Sequence, residues 1–318
     1  MASQGPVAVS IGNFDGVHVG HVSLLRAARD RVGPEGRVVV VAFHPHPASL
    51  IDGREVPAAM TTLDERAALL RAAGADEVVR LEPTRQLLSM SPHAFVDALV
   101  DQFSPAVVVE GPDFRFGRGR LGDVAFLRAA GKVLGFDLVV VPPVDVTLVD
   151  HTVVRASSTI ARWLIAHGRV IDARAVLGRP YRLCGVVVRG DRRGRTIGFP
   201  TANLQTQNML PADGVYAAIA HLSHGALCPA AVNVGTRPTV DCLRRTVEAH
   251  LIDMPTMRGE GWQPVPGQPE YGWGLELDLV AWMRDQVRFA GLDALTDQIR
   301  RDVECVRRIV NSPLGAIA

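Results

Sequence analysis

Apolar residues follow two kinds of pattern along the chain. Up to about residue 177, short continuous apolar runs alternate with stretches of helical period; from Tyr181 onward the runs are short, alternating, and broken by Gly, Pro, Asp and Asn. Val7 to Ile11, Arg37 to Phe43, Val78 to Leu81, Ala106 to Glu110 and Leu138 to Val141 read as strands. Between them Val22, Leu25, Ala28 and Val32 recur at helical spacing, and Thr62 to Ala73 opens with capping-box spacing. Ser91-Pro92 starts a helix to about Phe103, and Asp123 to Leu134 forms another. This alternation predicts an α/β domain with a parallel sheet over residues 1–177. Residues 178–318 predict a small antiparallel β-barrel with a closing helix. Its strands are Tyr181 to Arg189, Gly214 to Leu222, Cys228 to Val234, Thr246 to Leu251 and Leu275 to Trp282. Leu292, Leu295, Ile299, Val303, Val306 and Val310 then mark an amphipathic helix. A Pro/Gly-rich segment, Met254 to Glu270, reads as a mobile loop.

Candidate chemistry gathers where these elements meet. Gly12 to His21 joins the first strand to the first helix. If that helix begins near His18, then His18 and His21 share one face of its first turn, beside unpaired amides and the positive dipole end. Such a site suits a polyphosphate: Gly12, Gly16 and Gly20 let the main chain bend and an anion approach, and the imidazoles can donate to phosphoryl oxygens. The second strand ends in Phe43-His44-Pro45-His46-Pro47, whose prolines turn the chain out at the ligand edge of an open α/β sheet, so His46 and His44 are candidate contacts. Gly111 to Arg120, rich in Gly and Arg, predicts a second loop over that edge. Ser157, Ser158 and Thr159 open a helix carrying Arg162, and hydroxyls with an arginine one turn on can all point at a phosphate.

In the second half, Gly190 to Asn203 interleaves arginine and glycine in a way that can wrap polyphosphate, and Thr201 with Asn203 offers two hard oxygen ligands for Mg²⁺. Glu248 is a carboxylate among apolar neighbours. On spacing alone it is either functional or simply faces solvent on an edge strand.

Composition narrows the partners. At 318 residues, 47% hydrophobic, the chain has room for two domains with good cores. A net charge of +1 gives no bulk electrostatic case for nucleic acid or an acidic membrane, so small-molecule partners are expected. Lys132 is the only lysine, which leaves phosphate contacts to Arg, His and backbone. Cys184, Cys228, Cys242 and Cys305 lack metal-type spacing and read as buried thiols of a reducing compartment. With no leader pattern and no apolar stretch of about 18 residues, a cytoplasmic location is expected.

Taken together, the motifs resemble those of the prokaryotic bifunctional riboflavin kinase/FAD synthetases over nearly the whole chain. Gly12 to His21 is similar to GxFDGxHxGH, Phe43 to Pro47 to FxPHP, Gly111 to Gly117 to GxDFxFG, and Ser157 to Arg162 to SSTxxR. Gly190 to Asn203 resembles GxxxGRxxGFPTAN; Asp213 to Ala217, Asn233 to Thr239, and Val247-Glu248 follow in family order. His44 stands where an acidic residue is usual, and Val19 and Val22 replace polar ones. The resemblance implies a Rossmann-like FMN adenylyltransferase (nucleotidyltransferase) domain and a riboflavin kinase barrel, each using ATP and Mg²⁺, making FMN and then FAD. A riboflavin kinase with a weakened first domain is the alternative. The resemblance also implies roles. Glu248 becomes the base for the riboflavin hydroxyl, and Thr201 and Asn203 the metal and phosphate ligands. Gly190, Gly194, Arg195 and Gly198 belong to the kinase ATP loop. His18 and His21 stabilise the transferred α-phosphate, with Gly12, Phe14, Gly16, Gly20, Ser158, Thr159 and Arg162 on the nucleotide. His46, Asp113, Phe114 and Phe116 fall to the flavin.

Overall fold

The computed structural model describes residues 5–51, 53, 55–190, 192–222, 225–238, 243–254, 265 and 268–312. By contact density the chain divides into two units, residues 1–146 with 153–158, and residues 147–152 with 159–318.

The first unit is a five-stranded parallel sheet in the order β3-β2-β1-β4-β5. Its elements in chain order are β1 (Val7–Gly12), α1 (Val19–Val32), β2 (Arg37–Phe43), α2 (Leu63–Ala72), β3 (Glu77–Leu81), α3 (Arg85–Ser89), α4 (Pro92–Phe103), β4 (Val107–Glu110), α5 (Val124–Leu134) and β5 (Asp137–Val140). The central strands are apolar along their length because helices cover both faces. Ala8, Val38, Val40 and Val109 pack with Leu25 and Ala28 of α1 and Leu70 of α2; Val9, Val39 and Val108 pack with Phe95 and Leu99 of α4 and Leu127 of α5. Helix starts follow local chemistry. Thr62 and Glu65 form a reciprocal capping box, Ser91 caps α4 with Pro92 at its first position, and the Asp123 carboxylate caps α5. Strand order reverses between β1 and β4, which places the topological switch point, where ligands of open α/β sheets bind, at the carboxyl ends of those two strands.

A two-stranded ribbon, β6 (Asp145–Thr147) and β7 (Val153–Arg155), follows, then α6 (Ser158–Ala166) and α7 (Val170–Leu177). The barrel of the second unit comprises β8 (Tyr181–Val188), a single helical turn α8 (Arg193–Thr196), β9 (Ala202–Thr206), β10 (Gly214–His221), β11 (Leu227–Pro238), β12 (Leu243–Leu251) and β13 (Gly274–Arg284), closed by α9 (Leu292–Val310). Six strands close in the order β10-β11-β12-β9-β8-β13, leaving no open edge. Tyr216, Leu183, Leu275 and Leu277 are fully buried, and α9 lays Val303 and Val306 against Ala217 and Ile252.

The barrel has one more strand than the five predicted. β9 begins inside the Gly/Arg motif, and its polar Asn203 and Gln205 conceal the alternation with buried Ala202 and Leu204. Of the described cysteines only Cys228 is buried, and burial pushes its thiol up to about 11; Cys184 and Cys305 are partly exposed. Cys242 and most of the segment from Met254 to Glu270 lie outside the described residues.

Candidate active sites

In the first unit β1 delivers Gly12 to the switch point, and the next residues turn sharply into α1. Phe14 (φ 50°), Gly16 (φ 79°) and Val17 (φ 40°) all take left-handed backbone, a conformation that costs non-glycine residues and persists only when neighbours enforce it. Asp15 and Arg66 supply that enforcement. The Asp15 carboxylate, almost wholly buried, accepts from the amides of Met60 and Thr61 and from the Thr61 hydroxyl at 2.9 Å, and pairs with Arg66 at 3.3 Å. Arg66 reaches from α2 to the carbonyls of Asn13 (2.8 Å) and Phe43 (3.1 Å), tying the ends of β1 and β2 together. Breaking a buried pair leaves one charge uncompensated. Arg66→Met is therefore expected to destabilise the first unit by about 3–5 kcal/mol, read as an earlier unfolding transition, with the barrel's transition unmoved.

His18 is the N-cap of α1, one position before the helix. Its Nδ1 accepts from the Gly20 amide at 3.1 Å, while Nδ1 of His21 accepts from the His18 amide at 3.3 Å: a capping box made of two imidazoles. The rings stack with centroids 3.6 Å apart, and Phe14 packs on His21 at 5.0 Å. A Cβ at Gly20 would sit 3.0 Å from the His18 ring and press on this cap. With Nδ1 of both rings engaged by backbone N–H groups, the neutral tautomer carries its proton on Nε2, and each ring is a hydrogen-bond donor on that side. His46 joins the same loop: its Nδ1 caps the short 3₁₀ turn at Pro47–Leu50, and Nε2 lies 3.2 Å from Asn13 Nδ2. The Ser158 hydroxyl, in the first unit, donates to the Asp15 carbonyl at 2.8 Å. Thr159 and Arg162 follow on α6, within the second unit. His44 is bound through its backbone to Leu81, and burial, then Arg66 and Arg80, lowers its imidazole pKa.

The residues of the second loop divide by depth. Asp113 is exposed and pairs with Arg155 at 3.3 Å; Phe114 is half-buried and stacks on Phe116 at 5.5 Å; Phe116 is buried against Phe95 and Phe126 as the loop's floor.

In the barrel the cross-strand register assembles the second site. Glu248 on β12 lies opposite Asn203 on β9 and Asn233 on β11, so the three share a face, while their neighbours Val247, Ala249, Ala202, Leu204, Val232 and Val234 are buried. Gln286 donates to Asn233 at 2.8 Å. Asn203 lies directly over Gly190, where a Cβ would meet its amide at 2.2 Å, and Gly190, Arg192, Gly194, Arg195, Thr201 and Asn203 line one concavity with Tyr271. Gly198 lines a neighbouring cavity of about 240 Å³ formed by Phe199, Pro200 and Ala249 to Met254, with Val303 and Arg307 of α9. His250 is bound there to the Pro200 carbonyl at 2.8 Å, and burial lowers its pKa.

Arg66, Thr61, Glu110, Glu270 and Tyr271 were not legible as site residues, since no spacing ties them to the motifs they touch. Glu270 takes Arg195 at 2.5 Å and Arg192 at 3.1 Å, and the Tyr271 hydroxyl donates to it at 2.8 Å; these bonds, Arg195 first, hold its carboxyl below the usual range.

A Rossmann-like sheet with an imidazole-capped helix at its switch point, followed by a closed barrel with an Arg/Gly-lined concavity, defines a two-module protein of the nucleotide-binding class. A family model described as FAD synthetase matches residues 1–157, and one described as riboflavin kinase matches residues 177–310. The bifunctional riboflavin kinase/FMN adenylyltransferase of Escherichia coli (strain K12) is 37% identical over 309 residues, covering 95% of this chain and 92% of that protein; the Haemophilus influenzae protein of the same name is 33% identical over 308 residues, covering 96% and 94%. A crystal structure described as a macrolide-efflux protein from Streptococcus pneumoniae superposes with TM-score 0.83 at 28% identity, covering 96% of this chain and 95% of that one. Among the described residues no helix is long and apolar enough to cross a membrane. The chain belongs to the bifunctional riboflavin kinase/FMN adenylyltransferase family.

Proposed function

We propose that this chain makes FAD in two steps: residues 178–318 phosphorylate riboflavin with ATP to give FMN, and residues 1–177 transfer AMP from a second ATP to FMN, releasing pyrophosphate. The observation that carries the reading is that both motif sets are present in one chain and that each half matches the family model for its own step.

In the kinase step Glu248 takes the proton of the riboflavin 5′-hydroxyl as its oxygen attacks the γ-phosphorus and ADP leaves. Thr201 and Asn203 fit a Mg²⁺ ion bound jointly with phosphates: both offer hard oxygens, and the missing Cβ of Gly190 leaves room beside Asn203. Bound there, the metal supplies charge neutralisation on the phosphates. Arg195 serves the same phosphates, and the cavity beside Phe199, lined by apolar side chains together with His250, Asp253 and Arg307, is the one that suits a planar ring system.

In the adenylyl step a phosphate oxygen of FMN attacks the α-phosphorus of ATP. The Nε2–H groups of His18 and His21 donate to its oxygens as charge develops, and the amides at the start of α1 add their dipole. Gly12, Phe14, Gly16 and Gly20 shape that turn, Ser158, Thr159 and Arg162 hold the leaving pyrophosphate, and His46, Asp113, Phe114 and Phe116 form or support the flavin side. The net charge of +1 supports small-molecule partners over nucleic acid.

Supplying FMN directly with ATP and Mg²⁺ tests the first module alone. FAD and pyrophosphate in equal amounts are expected; no FAD would reduce the chain to a kinase. Glu270 adds a finer expectation, since it occupies Arg195, which is assigned to phosphate. Ion pairs that keep access to solvent compete only weakly with a ligand for the same cation. Glu270→Gln should accordingly lower the KM for ATP in the kinase step by about two- to fivefold with kcat unchanged, measured by steady-state kinetics.

A further inference from the structure

The switch point of the first unit holds a buried carboxyl that the two steps above leave without a role. β4 pairs with β1 only at Ala8↔Val107 and Val9↔Val108, then continues to pair with β5 as far as Glu110↔Val140, so the two central strands fork at the ligand end. A fork strands the Ile11 amide, which would otherwise extend the ladder, and a buried N–H with no acceptor is costly. The side chain of Glu110 fills the gap: Oε1 accepts from the Ile11 amide at 2.6 Å, with Glu110 and Ile11 both 3% exposed and Ser10, 1% exposed, preceding Ile11 on β1.

The contact sits at the roots of both ligand loops. Ile11 is followed by Gly12, the start of the imidazole-bearing turn, and Glu110 by Gly111, the start of the Asp113–Phe116 loop. The other three residues of β4 are valines, and an apolar side chain at 110 would suit the core equally well but could not hold the Ile11 amide. Burial raises the carboxyl pKa well above its ordinary value, partly opposed by the Ile11 amide and the Ser10 hydroxyl.

We propose that Glu110 is a positioning residue for adenylyl transfer: by bridging the β1/β4 fork it fixes the spacing between the loop that carries His18 and His21 and the loop that receives the flavin phosphate. The proposal rests on the adenylyl-transfer reading of this unit. In-line attack depends on that spacing, and a displacement of about 1 Å between reacting groups can cost on the order of a hundredfold in rate.

The test compares Glu110→Val and Glu110→Gln with the wild-type protein in FAD formation from FMN and ATP, with amide hydrogen exchange at Ile11 as a second readout. Gln keeps an acceptor oxygen for the Ile11 amide at nearly the same side-chain size. Val should lower kcat by about tenfold or more while both KM values stay within about threefold, and Ile11 should lose protection; Gln should restore kcat to within about threefold and keep Ile11 protected. Riboflavin phosphorylation in the same samples should be unchanged in both. Full kcat in Val, or loss of kcat in Gln with Ile11 still protected, would overturn the proposal; the Gln arm decides the matter alone if Val does not fold. Wild-type protein that forms no FAD would instead refute the adenylyl-transfer reading, and the exchange data would still report whether Glu110 bridges the fork.

Discussion

Glu248→Gln should lower kcat for riboflavin phosphorylation by about 10²–10⁴-fold, the range that a positioned general base contributes. The amide preserves the size of the side chain and its place opposite Asn203 and Asn233, so riboflavin and ATP should bind as before and both KM values should hold. FAD formation from added FMN uses the other module and should be unaffected. A kinase rate within a fewfold of wild type would show that Glu248 only occupies the barrel face. Loss of both activities would point instead to a folding defect.

The second large effect is expected at the imidazole pair. His21→Ala should reduce FAD formation by about 10²–10³-fold, the cost of removing one donor to a developing oxyanion. The same change removes the acceptor for the His18 amide, so part of the loss could come from a frayed helix start. His18→Asn separates the two roles. Asparagine is a good N-cap and can accept from the Gly20 amide in place of Nδ1, yet it has no Nε2–H at the imidazole's reach. FAD formation should therefore still fall by a comparable factor, with α1 intact by circular dichroism and amide exchange, and with kinase activity unchanged. Normal FAD synthesis in His18→Asn would mean that His18 serves α1 as a cap and nothing more.

Most of the architecture was legible because burial on both faces forces β1, β2 and β4 to be continuous apolar runs, and because Thr62, Ser91 and Asp123 announce their helices chemically. β9 was hidden for the opposite reason: it serves as barrel wall and ligand loop at once, and Asn203 answers to the second task. The sites were legible to the extent that their residues are local in sequence. His18, His21 and Gly20 are organised by one helix start, so spacing alone finds them. Glu248 is set beside Asn203 by strand pairing 45 positions apart in sequence, and its chemistry could be read only through the family resemblance. Arg66, Glu110 and Glu270 act through contacts 51, 99 and 75 positions away, which no periodicity records. Asp15 shows the converse. It lies inside the motif, and the structure turns its carboxylate inward to Thr61 and Arg66, so it holds the loop's shape.

The central claim is that one chain carries out both transfers. Purified protein incubated with riboflavin, excess ATP and Mg²⁺, with flavins and nucleotides separated over time, tests it directly. FMN should rise first and then convert to FAD, with one ADP and one pyrophosphate formed for each riboflavin that reaches FAD. FMN that accumulates without FAD, or riboflavin left unchanged beside intact ATP, would contradict the account.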